Sequence, residues 1–180
     1  MNGEVIILTG PPGAGKTTVA GLLASDATVP TVHLTTDLFY RSIRTGFVLP
    51  FLPAAQRQNE VVIEAIVGTV ATFARGGYDV VVDGIVGPWF LPQFRAVLEH
   101  DHHLAVSYIV LRPGLSTTLA RARERTGQKL KEFDAITGLH GAFGQLGDLE
   151  NHAIDTGHLD AEQTAGEVRR LLASGAYRLG

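Results

Sequence analysis

Residues 8–20 read LTGPPGAGKTTVA. A β-branched, apolar run stops at Gly10, glycines recur at positions 10, 13 and 15, and Lys16-Thr17 open a segment of helical character. Gly10 through Thr17 satisfy Gly-x-x-x-x-Gly-Lys-Ser/Thr, in the strand-before, helix-after context that gives this pattern its physical meaning. The glycines let the backbone curl so that the amides of Gly13, Ala14, Gly15, Lys16, Thr17 and Thr18 face one anion, and the helix start adds its positive dipole end. Pro11 and Pro12 stiffen the entrance. Lys16 is placed to neutralise terminal phosphates as a point charge, and the Thr17 hydroxyl to ligate Mg2+. Kinases, switches and motors all use such a loop, so the rest of the chain must decide among them.

Continuous apolar runs like Glu4–Thr9 suit buried parallel strands. Others occur at Thr31–Leu34, Asp79–Asp83, Ala105–Leu111 and His152–Asp155, with room for a helix between successive runs. Val62, Ile66, Val70 and Phe73 at helical spacing predict a helix over 54–74, ended by Gly76-Gly77. Further helices are expected at 116–125 and at 161–173, the last capped by Asp160. Strands alternating with helices imply an α/β fold of three layers, with a five-stranded parallel sheet covered on both faces.

With 180 residues, 45% of them apolar and 18% charged, the chain is expected to form one compact domain, 1–180. No apolar stretch is long enough to span a bilayer, and the first residues lack a signal-peptide pattern, which points to the cytoplasm. The absence of cysteine excludes disulfides, thiol nucleophiles and cysteine-based metal sites. A net charge of −3 gives no global attraction to nucleic acid or anionic membrane.

No guanine-reading Asn-Lys-x-Asp element occurs, and motor or remodelling ATPases usually need a longer chain. The phosphate loop and the element order resemble the small P-loop kinases: the shikimate and gluconate kinase group, adenylate kinase, and most of all the chloramphenicol phosphotransferase-like and tunicamycin-resistance-type ATP-binding proteins. The resemblance implies a P-loop NTPase fold of nucleoside-kinase type with a short lid at about 121–131, and an acceptor lobe at about 37–60. In those relatives an aspartate just after the second strand takes the proton from the acceptor hydroxyl, and Asp37 in VHLTTDLFY holds that place. A positioned carboxylate suits the task, because the hydroxyl need lose its proton only as the phosphoryl arrives. Asp37 also reads as a cap for the helix LFYRSIR. Asp83 ends VVVD and resembles the family's second nucleotide-binding motif, where it would hold Mg2+ through water or orient the acceptor; a turn-forming Asp-Gly is the competing account.

Arg121, Arg123 and Arg125 lie where the family's lid begins. Arg121 and Arg125 share a helix face, and an anion between them would remove their mutual repulsion. The resemblance has them clamp nucleotide phosphates or stack on adenine, with Arg121 or Arg125 stabilising the moving phosphoryl; a solvated basic helix is the competing account. Thr156, Gly157 and His158 match the loop under which adenine sits, or an ordinary strand-to-helix turn.

Arg41, Arg44 and Arg57 are interleaved with Phe39, Tyr40, Phe47 and Phe51, and no acidic residue falls between Asp37 and Glu60. Such a lobe favours an acceptor with a ring and a negative charge or many hydroxyls, with Gln56 and Asn59 reading hydroxyls and Trp89 adding a wall. The competing account packs the aromatics into a small core and leaves the arginines in solvent. His100, His102 and His103 precede the fourth strand and read as a solvated turn. The expected protein is therefore a monomeric or homodimeric kinase using ATP and Mg2+ on a hydroxyl of an antibiotic, nucleoside or sugar acid. The alternatives are a nucleotide-dependent binding protein that sequesters a toxic ligand without chemistry, a nucleoside monophosphate kinase and a polynucleotide end kinase.

Overall fold

A computed structural model describes residues 2–100, 104–126 and 130–179. Five parallel strands form one sheet in the order β2-β3-β1-β4-β5: β1 Val5–Thr9, β2 Thr31–Thr35, β3 Asp79–Asp83, β4 Val106–Leu111 and β5 Ala153–Ile154. The helices are α1 Lys16–Ser25, α2 Thr36–Arg41, α3 Gln56–Arg75, α4 Leu91–His100, α5 Leu115–Thr126, α6 Leu130–Ala142 and α7 Ala161–Ser174. All five expected strands are present. The fifth is shorter than its apolar run, because a 3-10 turn over Gly147–His152 occupies the run's first residue.

Side chains alternate across the strands, so the sheet builds two cores. Val5, Ile7, Val80, Val82 and Val110 face α3 and α4, where Ile63, Ile66, Val70 and Phe94 are buried. Leu8, Val81, Ile109 and Leu111 face α1 and α7, meeting Val19, Ala20, Leu23, Ala165 and Val168. Burial of each such aliphatic side chain stabilises the fold by about 1.5–3 kcal/mol. Phe73, expected on the buried stripe of α3, is 38% exposed. The stripe passes from Val70 to Ala74, four residues on, and Phe73 instead packs edge-on against Tyr78.

Asp160 caps α7 as expected, accepting from Gln163 N at 2.8 Å, while Gln163 Oε1 accepts from Asp160 N at 3.0 Å. This reciprocal capping box contributes about 1 kcal/mol. The chain end was not anticipated as part of the sheet: Ser107 bridges Arg178 in antiparallel fashion, covering the edge of β4 that β5 leaves free. His102 and His103 lie outside the described residues, as does the middle of the expected lid, 127–129.

Candidate nucleotide and acceptor site

Every strand of the parallel sheet delivers its carboxyl end to one rim, and the chemistry-bearing residues collect there. From β1 the chain enters the phosphate loop with positive φ at Gly10, Gly13 and Gly15. At Gly13 a side chain would also meet Thr118 O at 2.7 Å, whereas nothing lies within 4 Å of the Cβ position of Gly15. The loop is thus packed on its α5 side and open where the helix begins. Val19 N donates the first bond of α1, to Gly15 O at 3.1 Å, which leaves the amides of Lys16, Thr17 and Thr18 without carbonyls in the preceding turn. Ala14 N donates to Pro11 O at 3.2 Å and closes the loop on itself. Lys16 Nζ donates to the same carbonyl at 3.0 Å, and the side chains of Thr17 and Thr18 are exposed.

Asp83 ends β3 and is 1% exposed. Its Oδ2 is buried without a hydrogen-bond partner among the described residues and stands 3.4 Å from His33 Nε2. A carboxylate kept in that condition retains an oxygen for a ligand, which fits a cation-holding role together with Thr17. Beyond Asp83 the exit loop is held at both ends of Val86: its amide donates to Thr9 Oγ1 at 2.8 Å, and its carbonyl accepts from Tyr108 Oη at 2.9 Å. Burial pushes the Tyr108 hydroxyl well above its ordinary pKa, so it stays a donor. This brace fixes the backbone that leads to Trp89.

Asp37 does not cap a helix. Thr35 occupies the N-cap position and Asp37 is the second residue of α2, with an exposed carboxylate in the first turn. Beside it the Tyr40 hydroxyl is pushed up to about 12, first by burial and then by the charge of Asp37.

A cavity of about 660 Å³ joins these pieces. Pro12 of the phosphate loop and Thr36, Asp37, Tyr40 and Arg41 of α2 form one side. Ile43, Phe47, Pro50, Phe51 and Asn59 form the outer wall, and Ile85, Trp89 and Phe90 come from the loop after β3. Ala135, Ile136 and Leu139 of α6 close it. Asp37, Arg41, Asn59 and Trp89 are therefore brought together as the sequence suggests. Arg44 and Gln56 are exposed and are not part of this wall, Gln56 pairing instead with Glu60 at 3.3 Å.

Arg121 is half-buried on α5 and Arg123 is exposed; the side chain of Arg125 lies outside those described. Thr156 is buried, its Oγ1 without a hydrogen-bond partner among the described residues, while Gly157 is exposed and its amide donates to Asp155 Oδ1 at 2.8 Å. Sequence reasoning did not anticipate α6 as a cavity wall, although Ile136 and Leu139, three apart, carried the helical signal.

A phosphate loop on the first strand of a five-stranded parallel sheet, beside a cavity walled by the short helix that carries Asp37, defines a P-loop protein of the small-kinase fold. The chain belongs to the family described as an AAA domain, whose model matches residues 6–141. No curated protein gives a significant sequence match. Among solved structures it is similar to the tunicamycin resistance protein of Deinococcus radiodurans, with TM-score 0.71 and 21% identity over 94% of this chain and 95% of that one. It is likewise similar to the APS kinase of Mycobacterium tuberculosis in complex with AMPPNP and APS (TM-score 0.72, 19% identity, 96% and 98% covered). A third is the shikimate kinase of Acinetobacter baumannii in complex with shikimate (TM-score 0.65, 20% identity, 97% and 95% covered). At these identities the likeness is one of fold.

Proposed function

We propose that this protein is an ATP- and Mg2+-dependent phosphotransferase that moves the γ-phosphoryl group to a hydroxyl of a small molecule. One observation carries the reading: a single cavity is walled both by Pro12 of the phosphate loop and by Asp37 of α2. An acceptor hydroxyl in that cavity lies between a carboxylate that can take its proton and the loop that holds the donor, which turns a two-molecule encounter into a positioned transfer. Gly10, Gly13, Gly15, Lys16 and Thr18 hold the nucleotide phosphates, with Ala14 closing the loop beneath them. Thr17 and Asp83 would hold Mg2+, which when bound neutralises charge on the β- and γ-phosphate oxygens. Arg121 and Arg125 clamp the phosphates from the lid side, and Thr156 and Gly157 border the base. On the acceptor side Arg41, Asn59 and Trp89 meet the substrate in the cavity, and Arg44 and Gln56 flank it.

The test is incubation with ATP and Mg2+ against a panel of hydroxyl-bearing metabolites and antibiotics, read by mass spectrometry for a phosphate adduct. Asp37→Asn is expected to lower kcat about 10²–10⁴-fold while stabilisation by AMPPNP is unchanged. A ligand that binds but is always recovered unmodified would replace this reading with sequestration, and full activity in Asp37→Asn would remove Asp37 as the base.

A further inference from the structure

The cavity also constrains what it accepts. Phe47, Phe51 and Trp89 stand on its rim with 44%, 49% and 44% of their surfaces exposed, although each is large enough to contribute strongly when covered. Ile43, Ile85 and Ile136 supply further apolar wall. Such a lining gains most from a body that is itself apolar, and flat rings suit aromatic rims.

The charge in the wall is sparse. Among the described lining residues there is one carboxylate, Asp37, and one guanidinium, Arg41. An acceptor carrying a carboxylate would set its charge against Asp37, with Arg41 the one guanidinium among the described lining residues to serve both, and poorly paired charge in an apolar cleft is costly. The capacity to read hydroxyls is small too. Asn59 Nδ2 already donates to Pro50 O at 2.8 Å, while its Oδ1 is buried without a hydrogen-bond partner among the described residues and is left to accept from one hydroxyl. Gln58, its neighbour, has both ends of its amide engaged by the backbone of Val48, at 2.8 and 2.7 Å. A polyhydroxylated acid would therefore bury several hydroxyls without partners, each at a cost.

Resting on the phosphotransferase reading, we infer that the acceptor is an uncharged molecule with an apolar, ring-bearing body and few hydroxyls, its reactive hydroxyl lying toward Asp37. About 660 Å³ is ample for such a body, since ligand cavities run from about 300 to 1,000 Å³. This departs from the sugar acids and nucleoside monophosphates that the arginines of the lobe bring to mind.

Trp89 supplies the readout, because it is the only tryptophan of the chain and lies in the cavity wall. The protein with AMPPNP and Mg2+ is titrated with naphthylethanol and phenylpropanol, and in parallel with gluconate, shikimate and adenosine monophosphate. The aryl alcohols are expected to change the Trp89 emission and raise the melting temperature, and the anions to do neither. Phe47→Ala, at an exposed loop position, is expected to weaken aryl alcohol binding about tenfold with AMPPNP affinity retained. Response to the anions alone, or to no member of the panel, overturns the inference. Aryl alcohols that bind but are recovered unmodified after incubation with ATP leave it standing and sink the transfer reading instead. Phosphorylation of gluconate or shikimate with no aryl alcohol binding does the reverse.

Discussion

His33 Nε2 stands 3.4 Å from Asp83 Oδ2, and neither atom has a hydrogen-bond partner among the described residues. The register of β2 and β3 makes this contact: His33 pairs with Val81, two residues before Asp83, so both side chains leave the sheet on the face that packs under α1. A carboxylate that is 1% exposed, with an oxygen that has no hydrogen-bond partner among the described residues, is held at a cost in stability, as groups kept for ligands commonly are.

Asp83→Asn should therefore separate stability from function. Removing the buried charge is expected to leave the ligand-free protein as stable or to stabilise it by about 1 kcal/mol. The part of AMPPNP stabilisation that depends on Mg2+ should disappear. Thermal melts with AMPPNP, in Mg2+ and in EDTA, measure both quantities. A loss above about 3 kcal/mol without nucleotide would instead mark Asp83 as half of a structural ion pair with His33.

Tyr40 gives a test at alkaline pH. Its hydroxyl pKa rises from 10.0 to about 12 in the folded protein, so the native state keeps this proton after the unfolded chain has lost it. The unfolded state then binds fewer protons across that window, and stability falls as pH rises through it. Below pH 10 the contribution is fully present. With the ring partly in solvent the effect is up to about 1 kcal/mol. Denaturant unfolding of wild type and Tyr40→Phe, below pH 10 and near pH 12, is expected to show a steeper alkaline loss in wild type. Parallel slopes would mean that Asp37 and burial do not act on this hydroxyl.

The wall formed by α6 depends on its far end. Arg112 Nη1 donates to Phe143 O at 2.9 Å, Nη2 donates to Glu150, and His140 Nε2 donates to Pro113 O at 2.9 Å. These bonds tie the end of α6 to the exit of β4. Arg112→Gln is expected to raise the acceptor KM several-fold while the KM for ATP stays put. The hydrogen bond from Arg112 also holds the Glu150 carboxyl below its ordinary pKa, so the link persists above that lowered value and is lost as pH falls through it. Acceptor titrations at neutral pH with both variants of the chain decide the matter, and equal KM values would show that α6 stands without the tie.

The phosphate loop was legible because its glycines, lysine and threonine act through the backbone of one contiguous segment whose flanks announce a strand and a helix. The strands were legible for a related reason: a strand buried on both faces must be apolar throughout. Asp83 could be singled out as an acidic residue ending such a strand. The acceptor side resisted because its wall is assembled from α2, the segment after it, the exit of β3 and α6, and helical spacing says which residues share a face without saying what that face meets. Arg44 and Gln56 sit among the right neighbours in sequence yet are exposed and not among the lining residues, while Ile136, about a hundred positions after Asp37, lines the cavity. The N-cap position considered for Asp37 is held by Thr35, two residues earlier, without a side-chain capping bond.

Gly84 follows Asp83 and lies against the start of α2. A Cβ there would sit 1.9 Å from Thr36 Oγ1 and 2.5 Å from Thr36 Cγ2, and Thr36 is itself 3% exposed with nowhere to retreat. Gly84→Ala must therefore push the first turn of α2 away from β3, and Asp37 is the next residue along. We expect a loss of about 1–3 kcal/mol from overpacking. Because a displaced base loses its alignment with the acceptor hydroxyl, kcat should fall about tenfold or more. The atoms that an added methyl would meet first all belong to Thr36 and none to the phosphate loop, so AMPPNP affinity should be retained. Steady-state kinetics with both substrates, alongside a thermal melt, distinguish this from general unfolding. An unchanged kcat at reduced stability would show that the turn can shift without moving the carboxylate that the proposed transfer requires.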